Sequence, residues 1–311
     1  MASILISGGT GLVGGHLIPL LIENGHKVKV LTRKKTGSLT ISGIQVEAAH
    51  WNPTDGTIDS NAFEEITHVI HLAGASVNTK WTDRNKTKIL ESRKDGTSTL
   101  INHILDNKLD IEKFISASGI NYYGTTEEKS FKESDPAGSG FLSKVCVAWE
   151  DASLPLKKAG IARTIFRIGV VLTPKGGPLA AMRLPFRFHL GASLGNGTQF
   201  LPWIHVNDLC RGFLYAVEQE DVKGTFNMVA PNAVTNKKFT KVMKKLHGQF
   251  LPLPAIPEFF LRMILGKRSA LIFDSVRASA NEILSTGFAF NFSTIEEALY
   301  DLLKSKTNQK Q

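Results

Sequence analysis

Cysteine is scarce in this chain of 311 residues, which contains only Cys146 and Cys210. The two thiols could pair with each other, but they do not amount to a disulfide framework or to a four-ligand zinc site. The sequence therefore predicts no bound metal. Because so few thiols fit a reducing compartment, we expect a cytoplasmic protein.

Long hydrophobic runs are also absent. No apolar stretch approaches the ~18–20 uncharged residues that are needed to span a bilayer. The N-terminus has no basic segment ahead of an apolar one, as a targeting signal would. We therefore expect no targeting segment and no membrane partner.

Nucleic-acid-binding motifs are missing as well, although 37 basic and 28 acidic residues give a net charge of +9. There is no zinc-finger spacing, no aromatic RNA-binding motif and no dense arginine run, so we expect no nucleic-acid partner. A small molecule that bears phosphate is the favoured partner. Nucleic-acid binding by the lysines of segment 237–245 is the remote alternative to a merely solvated helix face, and it predicts a steep loss of affinity in salt.

The first half of the chain alternates between strand-like and helix-like segments. Short apolar runs typical of strands lie at residues 3–7, 27–31, 68–73, 113–117 and 162–168. The segments between them, such as 87–105 and 142–159, are long enough for helices. This alternation predicts an α/β fold with a Rossmann-type, doubly wound parallel sheet.

A glycine cluster follows the first predicted strand and opens the first predicted helix. It reads Ser7-Gly8-Gly9-Thr10-Gly11-Leu12-Val13-Gly14. Glycines at this spacing allow a tight turn, a close approach of backbone N–H groups to a pyrophosphate, and close packing of the helix on the sheet. We therefore predict a dinucleotide site at residues 8–14, with a merely flexible turn as the alternative.

The residue that ends the second predicted strand indicates which dinucleotide is preferred. An acidic side chain there binds the ribose hydroxyls of NAD, but this chain reads Thr32-Arg33-Lys34-Lys35. Arg33 and Lys34 could hold a 2′-phosphate through charge-assisted bonds. We therefore expect NADP rather than NAD, unless these residues form only a basic surface turn.

These features resemble the extended short-chain dehydrogenase/reductase superfamily, whose members include nucleotide-sugar epimerases and dehydratases. Further motifs that carry the resemblance are His71-Leu72-Ala73-Gly74, Ser116-Ala117-Ser118, Tyr122-Tyr123-Gly124 and Trp203-Ile204-His205-Val206-Asn207-Asp208. The sequence is most similar to the branch called epimerase family proteins, through Lys80-Trp81-Thr82, Ser92-Arg93, Gly176-Gly177 and Leu184-Pro185-Phe186-Arg187. The likeness covers approximately residues 4–303.

The resemblance implies hydride transfer to or from a nicotinamide, with Leu72, Ala73, Gly74 and Arg93 beside the cofactor. Members of the superfamily hold the substrate oxygen with a Ser or Thr and use a Tyr, paired with a Lys four residues on, as acid or base. This Tyr-x-x-x-Lys pair is missing, because Gly140 stands four residues before Lys144.

Three residues remain as catalytic candidates. Ser118 matches the catalytic Ser of the superfamily when Tyr122 is aligned with the Tyr of its Tyr-Gly pair, and Tyr122 or Tyr123 could supply the missing phenolic proton. Because the Tyr-x-x-x-Lys pair is missing, two functions are open. The protein is either an NADP-dependent epimerase or carbonyl reductase with a non-standard active site, or a binding protein that senses NADP(H) without catalysis.

Five residues are candidates for contact with a substrate. The resemblance places Arg183 and Arg187 where extended members contact substrate phosphates, and a solvated basic loop is the alternative. Trp81 and Trp203 could stack on a ring or fill the core, and His205 could act as a base or as a structural hinge. Superfamily members often dimerise, so a homodimer is an open expectation.

The second half is rich in Gly, Pro and aromatic residues, which predicts a smaller, irregular domain. We assign residues 1–170 to an NADP-binding Rossmann domain to which 200–225 return. Residues 171–199 and 226–304 are assigned to a substrate-binding domain, and 305–311 to a polar tail. The last helix is predicted to begin with a capping box formed by Ser293 and Glu296.

Overall fold

A computed structural model describes residues 1–126, 128–174, 176–249 and 253–305. The predicted polar tail lies, from residue 306 on, outside the described residues. Two compact units divide the chain. The first comprises Met1–Tyr122, Ser139–Arg167 and Cys210–Phe226, and the second comprises Tyr123–Gly138, Ile168–Leu209 and the described part of Asn227–Gln311.

The secondary structure begins with a strand and a helix, as the sequence predicts. The strands are β1 (Ser3–Ser7), β2 (Lys27–Thr32), β3 (Ser38–Ile41), β4 (Ile44–Asn52), β5 (Thr57–Ile58), β6 (His68–His71), β7 (Lys113–Gly119), β8 (Ala162–Ile168), β9 (Val170–Leu172), β10 (Phe200–Leu201), β11 (Trp203–His205), β12 (Gly224–Met228) and β13 (Val234–Thr235). The α-helices are α1 (Gly14–Glu23), α2 (Asp83–Asp106), α3 (Phe141–Asp151), α4 (Pro155–Lys158), α5 (Gly177–Arg187), α6 (Val206–Glu218), α7 (Asn236–Leu246), α8 (Glu258–Leu265), α9 (Ala270–Phe273), α10 (Asn281–Ser285) and α11 (Ile295–Tyr300).

The main sheet has the strand order β12-β8-β7-β6-β1-β2-β4-β3. Strand β1 pairs in parallel with both β2 and β6, and the order reverses at this strand. Strand β6 pairs in parallel with β7, and β2 with β4. The predicted Rossmann-type, doubly wound sheet is therefore confirmed. In such sheets ligands bind beyond the carboxyl ends of the strands where the order reverses.

Two features of the first unit were not predicted. Strands β3 and β4 form an antiparallel hairpin in which Ile41 pairs with Ile44, so one strand of the hairpin extends the parallel sheet. The helix expected over 142–159 is divided into α3 and α4, because Pro155 occupies the first turn of α4 and cannot donate a helical hydrogen bond.

The first unit is held together by apolar side chains between the sheet and its helices. Leu5 and Val69 of neighbouring strands, Leu100 of α2 and Phe114 of β7 all belong to one buried cluster. Each fully buried side chain of this size contributes about 1.5–3 kcal/mol to folding. This core fixes the strand ends that carry the loops described below.

The second unit has its own buried cluster, built from α5, α7 and α11 around Trp203. Helix α7 buries Phe239, Val242 and Met243 and leaves most of its lysines exposed, as the pattern predicts.

The predicted capping box of the last helix is displaced by one residue: Thr294 accepts from the Glu297 amide, and Glu297 accepts from the Thr294 amide. Ser293 is followed by Glu296 just as Thr294 is followed by Glu297, so the sequence did not distinguish these two possible N-cap residues of α11.

Apart from shifts of one to three residues at the boundaries near 168 and 226, the compact units differ from the predicted domain segments at two places. Residues 123–138 lie in the second unit, because the Phe131 amide donates to the Arg277 carbonyl at 2.8 Å and the Phe131 carbonyl accepts from the Ser279 amide. Residues 200–209 also lie in the second unit rather than in the first. There β11 pairs in parallel with β9, from Trp203 opposite Val170 onward.

None of the helices in the described ranges is both long enough and apolar enough to cross a membrane.

Candidate functional site

The candidate site of the first unit is formed by loops that leave the carboxyl ends of β1, β2, β6 and β7. These loops carry the glycine turn, Arg33 and Lys34, residues 72–75, and Tyr122. Parallel pairing brings these strand ends to one edge of the sheet. The predicted cofactor residues are therefore gathered at one edge, as expected of a dinucleotide fold.

The glycine turn excludes side chains at three positions. Gly8 has φ +77°, and a Cβ there would lie 2.8 Å from the Ala73 amide nitrogen. A Cβ on Gly9 would lie 2.9 Å from a methyl group of Val30, and one on Gly14 would lie 2.4 Å from the Gly9 carbonyl oxygen. Because such contacts are closer than real Cβ atoms show, the turn keeps this shape only with glycine.

The turn also leaves donors for an anion. The Gly11 amide donates to the Gly8 carbonyl at 2.9 Å, which closes the turn. Among the described residues, no acceptor is bonded to the amides of Leu12 and Val13. These N–H groups stand at the start of α1, where the helix dipole favours negative charge. Thr10 and Gly11 are exposed beside them, so the turn fits a pyrophosphate.

Arg33 and Lys34 are exposed directly after β2. The Lys34 amide donates to the Thr32 hydroxyl at 3.2 Å, which fixes the start of this loop. No carboxylate stands at the end of this strand. The loop can therefore receive a phosphate group but lacks the acidic group that binds ribose hydroxyls.

Arg93 of α2 holds the loop that follows β6. Its Nη1 donates to the carbonyl oxygens of Ala75 and Ile89, at 3.0 and 3.1 Å, and its guanidinium lies over the Trp149 ring. Burial lowers the pKa of Arg93 from its usual value. A Cβ on Gly74 would lie 2.9 Å from the Arg93 guanidinium carbon, so Arg93 shapes the loop that carries Leu72, Ala73 and Gly74.

His71 lies beneath the glycine turn as a fully buried imidazole. The Ser7 hydroxyl is 2.5 Å from its Nδ1, and the rings of Trp51 and Trp149 approach it edge to face. Burial, and to a lesser extent Arg93, lowers the pKa of His71 to about 3. The imidazole is therefore neutral in the folded protein across the physiological range.

This buried imidazole predicts an acid-sensitive fold. Between pH 6.5 and about 3 the unfolded chain binds a proton at residue 71 that the folded protein does not, so stability decreases as pH falls through this window. The slope is about 1.4 kcal/mol per pH unit. Urea unfolding at pH 6, 5 and 4 should show a steeper loss of stability in the unmodified protein than in His71→Asn, by an amount that approaches this slope. His68, whose pKa burial also lowers, contributes to both proteins, and parallel curves for the two would contradict the assignment.

Ser118 is engaged in a buried network at the end of β7. It is 4% exposed, and its hydroxyl donates to Glu150 Oε1 at 2.6 Å. Glu150 in turn accepts from Arg167, with Nε to Oε1 at 2.9 Å and Nη2 to Oε2 at 2.8 Å. The guanidinium carbon of Arg167 lies 3.3 Å from the centre of the Tyr122 ring. Ser118 and Tyr122 thus belong to one network of contacts through Glu150 and Arg167. In this network the Ser118 hydroxyl is hydrogen-bonded to the Glu150 carboxylate.

Sequence reasoning did not identify Glu150 and Arg167 as a pair. A signal was present, because Glu150 lies on the buried face of α3 and Arg167 interrupts the apolar strand β8. Charged groups are rarely buried without a partner. Two charges of opposite sign in buried segments therefore indicate an ion pair, although the sequence does not show which groups meet.

Tyr123, the third catalytic candidate, belongs to the second unit. It is 3% exposed, its hydroxyl donates to Asn227 Oδ1 at 2.7 Å, and its ring stacks on Phe131 at 4.8 Å. These contacts are those of a core residue. Lys144 is exposed on α3, as expected of a solvated lysine.

The predicted substrate residues are distributed over both units. Trp81 lies in the first, half-buried, with its Nε1 donating to the Val77 carbonyl at 3.0 Å. In the second unit Arg183 is half-buried on α5, and Arg187 is exposed in the last turn of the same helix. Trp203 lies in the core and donates to the Asn232 carbonyl, so the structure supports its packing role and not a stacking role.

His205 also has a structural position. Its ring is buried against Phe292 at 3.8 Å, its Nδ1 accepts from the Asn207 amide, and its Nε2 lies 3.3 Å from Asp301 Oδ2. The Nδ1 atom is therefore hydrogen-bonded within the protein, and a carboxylate lies within ion-pair distance of Nε2. This geometry favours the positioning role over that of a general base.

Both cysteines are free and buried. Burial raises the pKa of the Cys146 thiol to about 11 and that of Cys210 to about 12. The thiols are therefore protonated and unreactive at neutral pH.

The glycine turn and its sheet agree with what comparison with known proteins shows. Residues 4–229 match the NAD dependent epimerase/dehydratase family, and residues 256–302 match a Domain of unknown function, DUF1731. The chain belongs to the NAD dependent epimerase/dehydratase family. The predicted resemblance to extended short-chain dehydrogenases/reductases is thereby confirmed.

Relatives within this family match the chain over nearly its whole length. It is 35% identical over 307 residues to the epimerase family protein YfhF of Bacillus subtilis, covering 98% of this chain and 99% of that protein. It is 33% identical over 302 residues to the epimerase family protein ML0860 of Mycobacterium leprae, covering 96% and 94%.

Two solved structures of family members are similar to the chain in fold. The human epimerase family protein SDR39U1, crystallised with NADPH, has a TM-score of 0.86 and 28% identity, covering 97% of this chain and 99% of that one. The nucleoside-diphosphate sugar epimerase from Corynebacterium glutamicum has a TM-score of 0.77 and 27% identity, covering 99% of this chain and 60% of that one.

Proposed function

We propose that this member of the epimerase/dehydratase family binds NADP(H) on the glycine turn and uses it for oxidoreduction or epimerisation of an oxygenated small molecule. The observation that supports the proposal best is the turn itself, in which Gly8, Gly9 and Gly14 admit no side chain and the Leu12 and Val13 amides are available to an anion. The human relative crystallised with NADPH shares 28% of its residues with this chain.

The residues present fit such a cofactor. In the proposal the amides of the glycine turn hold the pyrophosphate, and Arg33 and Lys34 hold the 2′-phosphate. The loop of Leu72, Ala73 and Gly74, fixed by Arg93, borders the same strand ends. A bound nicotinamide supplies or accepts a hydride.

Among the three catalytic candidates, we assign the role of acid or base to the Tyr122 phenol. The Ser118 hydroxyl donates to Glu150 and the Tyr123 hydroxyl donates to Asn227. Each of these two hydroxyl groups therefore stabilises the folded structure. Tyr122 is half-buried, and Arg167 holds its ring from one face. A positioned phenol is the group that the missing Tyr-x-x-x-Lys pair would otherwise supply.

The substrate class and the setting are also proposals. A relative named as a nucleoside-diphosphate sugar epimerase, 27% identical, supports a sugar nucleotide. Arg183 and Arg187 of the second unit offer cations for its phosphates. In this proposal the first unit holds the cofactor and the second holds the substrate, and the protein works in the cytoplasm, with a homodimer as an untested prediction.

The preference for NADP is tested at Arg33. Replacing Arg33 with Ala is expected to weaken NADPH binding by about 1–3 kcal/mol, because hydrogen bonds to charged groups have this strength. NADH lacks the 2′-phosphate, so its affinity should change by less than about twofold. Calorimetric titration of both nucleotides measures the difference, and an equal loss for NADPH and NADH would contradict the role of Arg33.

Catalysis is tested by following nicotinamide absorbance on a panel of sugar nucleotides and carbonyl compounds. Turnover should decrease by about 10²–10⁴-fold in Tyr122→Phe, the usual contribution of a positioned acid or base, with NADPH affinity unchanged. Tyr300→Phe, which alters an exposed phenol of the second unit, is the matched control. Turnover that survives in Tyr122→Phe would exclude this phenol as the proton donor.

The second candidate is an NADP(H)-sensing protein without catalysis. It is favoured by one observation, the engagement of the Ser118 hydroxyl with the buried Glu150 carboxylate. This function predicts flat absorbance traces on every substrate, together with tight NADPH binding that alters affinity for a partner protein. Substrate-dependent traces would exclude it.

A further inference from the structure

Two adjoining cavities of the second unit are lined by basic side chains. The first, of about 510 Å³, is bordered by Lys237, Lys241, Lys244 and Lys245 of α7. The second, of about 500 Å³, is bordered by Arg183 of α5, by Lys304 and again by Lys245. Within the described ranges no acidic side chain lines either cavity. We call this set of six cations the basic cradle.

The lysines of the cradle are arranged on one face of α7. Positions 237, 241, 244 and 245 follow the spacing i, i+4, i+7 and i+8, which places them side by side. Like charges at this spacing destabilise a helix. Lysines near the carboxyl end, such as Lys244 and Lys245, are favoured by the helix dipole, but this effect does not extend to the first turn, where Lys237 lies.

Ion pairing does not offset this repulsion. Lys238, which lies close to Lys245 on the same helix because it is seven positions earlier, pairs with Glu296. By contrast, the four lysines of the cradle form no ion pair or hydrogen bond with any described residue. Glu296 also attracts Lys245 electrostatically, but none of the four cradle lysines forms an ion pair with a carboxylate of the described residues.

Arg183 provides a separate indication. Its Nε is buried and has no hydrogen-bond partner among the described residues. A buried donor without an acceptor is destabilising and rare in native proteins. Because Arg183 borders the second cavity, an anion bound there would supply the missing acceptor.

His247, at the border of the second cavity, reports the local charge. Its Nδ1 donates to the Met243 carbonyl at 3.0 Å. Burial lowers the pKa of His247, the hydrogen bond to Met243 raises it, and the charges of Arg183 and Lys304 lower it further. Cations from α5 and from the chain after α11 thus act on one imidazole.

We propose that the basic cradle binds a compact polyanion that carries several phosphoryl groups, as a site additional to the dinucleotide turn. Of its six cations, the proposed function uses only Arg183, for substrate phosphates, so the lysines carry this proposal. Cavities of this volume match small-ligand sites rather than macromolecular surfaces, and lysine ammonium groups bind phosphate as point charges. A nucleic-acid strand is disfavoured, because no Phe, Tyr or Trp among the described residues lines either cavity to stack on bases.

The proposal is tested by calorimetric titration of the full chain with tripolyphosphate. We expect one saturable site whose affinity falls as salt increases from about 50 to 200 mM. The double variant Lys241→Glu/Lys245→Glu should weaken binding at least about tenfold, because two phosphate contacts become repulsive. Lys267→Gln removes one exposed charge of the second unit outside both cavities, and it should leave binding within about twofold.

The milder variant Lys241→Gln/Lys245→Gln serves if charge reversal unfolds α7, and circular dichroism decides which variant is used. Unchanged binding in both double variants would overturn the proposal. So would tripolyphosphate binding that saturating NADPH abolishes, since the anion would then occupy the glycine turn. Equal affinity for sulfate, or tighter binding of a single-stranded oligonucleotide, would also overturn it. Loss of NADPH binding alone would contradict only the proposed function.

Discussion

Replacing Glu150 with Ala is expected to lower the free energy of unfolding by about 3–5 kcal/mol, because it removes the carboxylate that is paired with the buried Arg167 guanidinium. Glu150 is 9% exposed and Arg167 is 4% exposed, and two hydrogen bonds join them. The change also removes the acceptor of the Ser118 hydroxyl. Urea unfolding at pH 7 measures the loss.

Two comparisons separate the ion pair from its surroundings. Ser118→Ala removes only one hydrogen bond to the carboxylate and should cost about 1.5–3 kcal/mol. The double variant Glu150→Leu/Arg167→Met replaces both charges with apolar groups and should recover most of the stability. If Glu150→Ala were no more destabilising than Ser118→Ala, the charge pair would not be the main support of this region.

Replacing Gly14 with Ala is expected to weaken NADPH binding at least about 100-fold. The added Cβ would lie 2.4 Å from the Gly9 carbonyl oxygen, so the turn must move away from the start of α1. One or two charge-assisted hydrogen bonds to the pyrophosphate would then be lost, each contributing about 1.5–3 kcal/mol. Calorimetric titration measures the change in affinity.

Gly15→Ala is the matched control for Gly14→Ala. A Cβ on Gly15 would meet only the Ser42 hydroxyl at 3.5 Å, an ordinary contact. Within α1 this exchange should stabilise the helix by about 0.5–1 kcal/mol and leave NADPH affinity unchanged. Equal binding losses at the two positions would indicate that the region tolerates no change, and would remove the argument from the Gly9 contact.

The positions of the proposed cofactor residues at one sheet edge were predictable from the sequence because their determinants are local. The glycine turn follows β1 directly, and Arg33 and Lys34 follow β2 directly. Parallel strands then bring the two loops to the same sheet edge without any knowledge of side-chain packing. The β3–β4 hairpin was missed, although β4 spans nine residues and begins with the alternating sequence Ile44-Gln45-Val46-Glu47-Ala48.

The catalytic half depends on contacts between distant residues, which a single sequence does not reveal. Ser118 was interpreted from a motif, but its hydroxyl is bonded to Glu150, 32 positions away. Tyr123 was treated as an equal of Tyr122, whereas a hydrogen bond to Asn227 places it in the core of the second unit. In both cases a hydrogen-bond partner that is distant in the sequence determines whether the hydroxyl group is available for catalysis.

The most direct test of the account is amide hydrogen exchange at the glycine turn with and without NADPH. In the free protein the Leu12 and Val13 amides form no hydrogen bond with the described residues, so they should exchange rapidly. Binding of the pyrophosphate should slow their exchange at least about tenfold, whereas the exposed loop at Gly56 should not respond. Unchanged exchange at Leu12 and Val13 in saturating NADPH would contradict the proposal that the turn holds the cofactor.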